Sequence, residues 1–366
     1  MTTGIYAHIP FCRAKCDYCT FYSIENAGRA AFDSYKAALL SCARGFGNIT
    51  ADTLYFGGGT PSIIGGKMLA EIIEALRTQF DINSAAEISA EINPEAPDDI
   101  FTVPAAAGLN RVSIGMQSAV ESELRAVGRR HSHEDTRRTV AAARSAGIGN
   151  ISLDIIVGLP GQDERSLARS IERAAALNAT HVSCYMLSVE PGTPLSERSG
   201  FIPPDGDRLA GLYMFAAKML IESGYAQYEI SNFAKPGYEC RHNLKYWKLK
   251  PYLGLGPAAH SFLHGRRFYY PPDISRFIQG GPPIEDDTKN SAAPAGSWQE
   301  RLLLESRLNE GFDMAAAMPG FDKGLFLRRA KPLLDGGLAY LNGNRFCLTL
   351  EGMLLQNAIA AKLIFL

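Results

Sequence analysis

Three cysteines crowd one short segment, Ile9-Pro10-Phe11-Cys12-Arg13-Ala14-Lys15-Cys16-Asp17-Tyr18-Cys19-Thr20-Phe21, with the spacing C-x3-C-x2-C. Thiolates packed into one loop make a metal site, and three of them can hold three corners of a [4Fe–4S] cube while the fourth iron keeps no protein ligand. That iron is open to a small molecule. Two other readings fit the same residues: a Cys3His zinc knuckle completed by His8, and a buried cysteine cluster without metal.

Further residues of chemical interest lie along the chain. Gly57, Gly58 and Gly59 follow an apolar run, so the backbone there can approach a ligand closely, or simply turn. Glu91 and Asp154 sit in or at the end of apolar runs, where an unpaired carboxylate is costly. Each needs a partner: ribose hydroxyls, a backbone amide, or an internal salt bridge to Arg129 or Arg111. Gln117 either touches the same ligand or caps the next helix. A second cluster combines Cys240-Arg241-His242-Asn243-Leu244-Lys245-Tyr246-Trp247. His242 can ligate a haem iron there, with Tyr246 or Trp247 stacking the macrocycle and Arg241 or Lys245 meeting a propionate. The alternative is a hydrogen-bonded core histidine.

Positioning these residues requires a repeating frame. Short β-branched runs at Ile5–Ile9, Thr53–Phe56, Glu87–Ile92, Arg111–Gly115, Ile151–Val157 and His181–Leu187 are each followed by a loop and a helical pattern. Alternation of this kind predicts an α/β fold, a parallel sheet curled into an incomplete (β/α)6 barrel. Every unusual motif falls after a strand, at the end where barrels carry their chemistry. The rhythm stops near residue 200, and Ser199–Asp207 reads as a boundary. We expect residues 1–205 to form the barrel, 206–290 a linking region with the His242 cluster, and 291–366 a smaller winged-helix-like unit that completes a C-terminal α+β domain. Helices are expected at Leu209–Gly224, Gln299–Asn309 and Glu351–Leu366, a hairpin around Asn342-Gly343-Asn344, and an exposed connection at Gly280–Ser297. The 37 basic and 38 acidic residues balance, which argues against a nucleic-acid partner. No leader or membrane anchor is read from the chain, and the expected location is the cytoplasm. Of the seven cysteines, Cys42, Cys184, Cys240 and Cys347 read as free thiols.

The sequence resembles the HemN/HemW group of radical S-adenosylmethionine (SAM) proteins. The resemblance is carried by Tyr6-Ala7-His8-Ile9-Pro10-Phe11-Cys12, Tyr55–Ser62, Ser113–Ser118, Gly128-Arg129-Arg130-His131, Asp154–Gln162 and the cluster from Tyr228 to Phe262. It implies a [4Fe–4S] cluster on Cys12, Cys16 and Cys19, and SAM contacts at Tyr6, Gly58 and Glu91. In the coproporphyrinogen dehydrogenases of the group a second SAM lies nearby. The positions matching it here are Tyr18, which replaces the usual phenylalanine, Gly59, Thr60, Gln117, Arg129, Asp154 and, loosely, Ser188. Those dehydrogenases continue to a further cysteine, where this chain has Phe21. The haem chaperones carry His-Asn-x-x-Tyr-Trp, which stands here as His242 to Trp247. The resemblance therefore implies haem contact at His242, Tyr246 and Trp247, haem-acceptor proteins as partners, and a flavodoxin- or ferredoxin-type electron donor. Oxidative decarboxylation of porphyrinogen propionates is the alternative.

Overall fold

The computed structural model describes residues 2–96, 99–286, 293–316 and 318–365. Six parallel strands form its centre: β1 (Thr3–Ile9), β2 (Thr50–Gly58), β3 (Asp81–Ile92), β4 (Arg111–Gln117), β5 (Asn150–Val157) and β6 (His181–Met186). The runs read from the sequence fall on these strands, except that Leu187 lies one residue past the end of β6. The helices between them include α1 (Arg29–Arg44), α2 (Gly66–Gln79), α3 (Asp99–Ala106), α4 (His133–Ser145) and α5 (Glu164–Ala176). Two are started by reciprocal capping boxes, Ser132 with Asp135 and Asp163 with Ser166, which satisfy amide groups that a helix start leaves bare.

Strand periodicity sorts the side chains into two faces. One set, Ile5, Leu54, Ile88, Val112, Ile151 and Val182, is buried in the main hydrophobic core with the helices. The register places the other set side by side: Tyr6 beside Tyr55, Tyr55 beside Ser89, Glu91 beside Ser113, and Asp154 beside Ser183. The inner face is therefore polar, unlike a closed barrel filled with branched apolar side chains.

The sheet does not close. Four short strands, β7 (Ala226–Glu229), β8 (Asn232–Ala234), β9 (Tyr252–Leu255) and β10 (His260–Leu263), followed by β11 (Arg266–Tyr269) and β12 (Ile284–Glu285), extend it to twelve in the order β12-β11-β10-β9-β1-β2-β3-β4-β5-β6-β8-β7. β9 joins β1 in parallel and β8 joins β6 antiparallel. Helix α6 (Gly206–Glu222) precedes β7, with Asp205 accepting from the Arg208 amide at its start. Helix α7 (Arg241–Trp247) carries the histidine cluster.

A second core, built on Phe312, Phe326, Phe346 and Leu363, belongs to the C-terminal part. It contains α8 (Trp298–Glu305), α9 (Lys323–Asp335) and a three-stranded sheet in which Arg345–Leu348 lies between Phe312–Asp313 and Ala339–Asn342. The expected hairpin is present, with Gly343 supplying the positive φ of its turn. The single terminal helix expected at Glu351–Leu366 is instead two, Leu350–Leu354 and Gln356–Phe365. Gln356 is buried and donates to the Leu303 carbonyl and Ser306, which ties the second helix to α8. Residues 287–292 of the expected Gly280–Ser297 connection, and Leu366, lie outside the described residues.

Candidate metal and cofactor site

The cysteine loop leaves β1 at its carboxyl end and is fastened to its neighbours. The Asp17 amide donates to the Val127 carbonyl, the Leu195 amide to the Asp17 carbonyl, and the Asp17 carboxylate pairs with Arg198. Gly128 leaves room for this: a Cβ there would lie 2.6 Å from Asp17 Oδ1. Cys12, Cys16 and Cys19 all line one cavity of about 440 Å³, within the common range of small-molecule sites. His8 takes no part, because its Nδ1 is hydrogen-bonded to the Tyr6 hydroxyl and its Nε2 to the Tyr22 carbonyl, each at 3.0 Å. With His8 so held, the donor set is three thiolates around a shared cavity, which suits a cube with one iron left open.

The same cavity collects most of the other expected residues: Tyr18, Gly58, Gly59 and Thr60 near the cysteines, Glu91 and Asp154 on the inner strand face, Gln117 at the end of β4, and Arg129 and Ser188 on the loops. Gly59 is required for packing, since a Cβ would meet the Phe11 carbonyl at 2.5 Å. The Gly59 and Thr60 amides are already spent on the carbonyls of Ile9 and Phe11. Gln117 has φ +60 and faces the cavity, and it does not cap the next helix, Glu121–Arg125, whose N-cap position is Val120 with no side-chain cap bond. Tyr6 stands behind the wall, its ring stacked 6.2 Å from Tyr55.

Among the described residues neither carboxylate is in an internal salt bridge. Glu91 accepts from the Tyr55 hydroxyl at 3.0 Å, and Asp154 from Ser113 at 2.9 Å. Burial, then the charge of Asp154, pushes Glu91 up to about 7. Burial likewise raises Asp154. Arg129 spends its guanidinium on the Asn93 side chain and the Gly115 carbonyl. The cavity therefore offers hydroxyls and two carboxyl groups, which suits sugar hydroxyls and an ammonium group.

His242, Tyr246 and Trp247 lie beneath this site rather than on its wall. Thr53 Oγ1 is 2.8 Å from His242 Nδ1 and the Tyr246 hydroxyl 2.7 Å from Nε2, so both ring nitrogens have protein partners. The ring is 1 % exposed and stacked 5.1 Å from Tyr55. Burial, then the charges of Lys245 and Arg111, lowers its pKa to about 3. The Glu87 carboxylate accepts from the amides of Arg241 and His242, fixing the start of α7. The Trp247 ring packs under the Arg307 guanidinium at 4.6 Å.

Cavity residues that the sequence did not single out as contacts include Ser183 and Tyr185 of the inner face, while Arg111 was named only as a salt-bridge partner and Asn243 only as part of the α7 motif. The signal was present as polar alternation, Arg111-x-Ser113-x-Gly115-x-Gln117 and His181-x-Ser183-x-Tyr185.

Comparison with known proteins adds a family. Residues 6–174 match the Radical SAM superfamily. The chain is 35% identical to "Heme chaperone HemW" of Mycobacterium tuberculosis over 375 residues, covering 99% of this chain and 94% of that protein. It is 37% identical to the protein of the same name from Escherichia coli, over 70% of this chain and 69% of that one. The fold superposes on coproporphyrinogen III oxidase (HemN) of Escherichia coli, a radical SAM enzyme, with a TM-score of 0.82 and 22% identity, covering 100% of this chain and 90% of that one.

Proposed function

This chain belongs to the HemW family of radical SAM proteins, and from that premise we propose that it binds haem and delivers it to acceptor proteins, in the cytoplasm, with a [4Fe–4S] cluster and SAM in the barrel. Membership implies the cluster and SAM. The observation that carries the site assignment is one cavity lined by all three cysteines together with Glu91 and Asp154. When bound, a cluster with an open iron supplies an anchor for the amino and carboxylate groups of SAM and a point of electron entry. Around it, Cys12, Cys16 and Cys19 ligate, Gly58 and Glu91 meet the amino-acid end, and Tyr6 backs that wall through Tyr55. Tyr18, Gly59, Thr60, Gln117, Arg129 and Asp154 serve the rest of the cavity, and a flavodoxin- or ferredoxin-type protein is the donor. Among the described residues no helix is long and apolar enough to cross a membrane.

Haem contact at His242, Tyr246 and Trp247 is part of this reading, with a defined cost. For Nε2 to reach iron, the Tyr246 hydroxyl must leave it, which forfeits a hydrogen bond of about 1 kcal/mol. Tyr246→Phe is therefore expected to bind haem up to about fivefold more tightly, and His242→Ala much more weakly. An anaerobic titration of the reconstituted protein followed at the Soret band reads both. Should His242→Ala match the parent, the ligand is elsewhere. The same sample, given SAM, dithionite and coproporphyrinogen III, is expected to form no vinyl product, and turnover to protoporphyrinogen would make the protein a decarboxylating enzyme instead.

A further inference from the structure

Helix α7 faces two ways. His242 is 1 % exposed, and its ring lies 5.1 Å from that of Tyr55 on β2. Its neighbour Asn243 is half-buried and lines the barrel cavity that the three cysteines also line. Among the described residues the Asn243 side chain makes no hydrogen bond. A carboxamide offers an acceptor oxygen beside donor hydrogens, so an unpartnered one on a cavity wall is equipped for a neutral polar group of a ligand. A second link joins the helix to the cavity. Glu91 and Tyr55 both line it, the Tyr55 hydroxyl donates to Glu91, and the Tyr55 ring carries His242.

The helix is seated as one body. Glu87 accepts from the amides of Arg241 and His242 at 3.1 Å each, and Lys245 pairs with Asp52 at 2.6 Å. Tyr246, whose hydroxyl occupies Nε2, is set edge-on between His242 and Tyr252, with ring centroids 5.1 Å and 4.6 Å away. A histidine so buried leaves no room for a macrocycle at Nε2 while α7 keeps this position. Haem contact at His242 therefore requires α7 to move off β2.

We infer that Asn243 holds the adenosine part of SAM, and that SAM and haem bind antagonistically through α7. The inference rests on the functional reading above. There the amino-acid end of SAM belongs with the cluster, Gly58 and Glu91, which leaves the adenosine for the rest of the cavity. A carboxamide pairs with the edge of adenine through one donor and one acceptor. SAM gripped by Asn243 favours the α7 position described here and haem favours a displaced one, so each ligand weakens the other by the same factor.

The test uses the cluster-loaded protein, anaerobic and without reductant so that SAM stays intact. Haem is titrated at the Soret band with and without saturating SAM, in the parent and in Asn243→Ala, and SAM affinity is measured by equilibrium dialysis in the absence of haem. In the parent, SAM is expected to weaken haem binding about threefold to tenfold, the scale of one neutral hydrogen bond. In Asn243→Ala, SAM itself is expected to bind about threefold to tenfold more weakly, and the effect of saturating SAM on haem to shrink below about twofold. Where Asn243→Ala fails to load its cluster, Asn243→Ser, whose hydroxyl is too short to reach the ligand, runs the same comparison. The inference is overturned if SAM changes haem affinity in the parent by less than about twofold or tightens it, if the variant keeps the parent's ratio, or if its SAM affinity stays within about twofold of the parent's. A parent that binds SAM and not haem removes the haem-delivery reading instead, and the Asn243 contact is then decided by the SAM affinities alone. A parent that binds no SAM overturns the contact and the antagonism together.

Discussion

Glu91 shows how far a single position can be argued. Its neighbours in sequence, Ala90 and Ile92, are buried and apolar, which marked it as a carboxylate in need of a partner. That partner, the Tyr55 hydroxyl, belongs to the adjacent strand and depends on register, so it could not be read from spacing. Burial and Asp154 raise its pKa from 4.5 to about 7, so the folded state holds this proton more tightly than the unfolded one. Stability associated with this group is present below the unfolded value and falls as pH rises toward 7. Glu91→Gln is therefore expected to stabilise the protein relative to the parent above pH 7, on the order of 1–3 kcal/mol, and to be near neutral at acid pH. Denaturant titrations at several pH values read this. SAM affinity is expected to rise with pH through about 7 in the parent, as Glu91 becomes an anion for the ammonium group, and to lose that dependence in Glu91→Gln.

The order of strand and motif was legible at the scale of elements because each apolar run is followed by a turn signal and a capped helix. What holds the cysteine loop was not, because Asp17, Val127, Leu195 and Arg198 come from three separate connections. The Arg198–Asp17 pair is partly exposed, with side chains 38%/24% accessible, so its worth is about 1 kcal/mol. Arg198→Ala should accordingly release iron from the reconstituted cluster up to about fivefold faster under chelator challenge, with the same initial iron content. Equal release rates would mean that the backbone links to Val127 and Leu195 suffice. Helix α7 teaches the opposite lesson: His-Asn-x-x-Tyr-Trp named a contact, while His242 is occupied by Tyr246 one turn along the same helix and by Thr53, a bond that came only from tertiary packing.

Considered whole, the described residues form a main hydrophobic core around the large sheet, a small cluster of Val127, Ile156, Leu159, Leu187 and Leu195, and a separate core in the C-terminal part. The division into 1–205, 206–290 and 291–366 that we propose makes the last unit cooperative by itself. Phe346 is fully buried there, 5.3 Å from the Phe326 ring, and Phe346→Ala should cost about 3–5 kcal/mol. A melting transition for this unit, separated from that of the barrel, is expected by calorimetry; one shared transition would remove the division. The incomplete barrel was foreseeable from six repeats, but the recruitment of β7 to β12 onto both sides of it was not, since strands of two to four residues carry almost no periodic signal. Those additions have a consequence of their own. An unclosed sheet ends in two rows of backbone groups, each able to template a neighbouring molecule. Here the outermost strands are only two and four residues long, Ile284–Glu285 and Ala226–Glu229, and Glu285 is clamped by Arg266. So short and charged a margin gives a foreign strand little to grip, and the protein can keep its barrel open for ligands without inviting fibrous self-association.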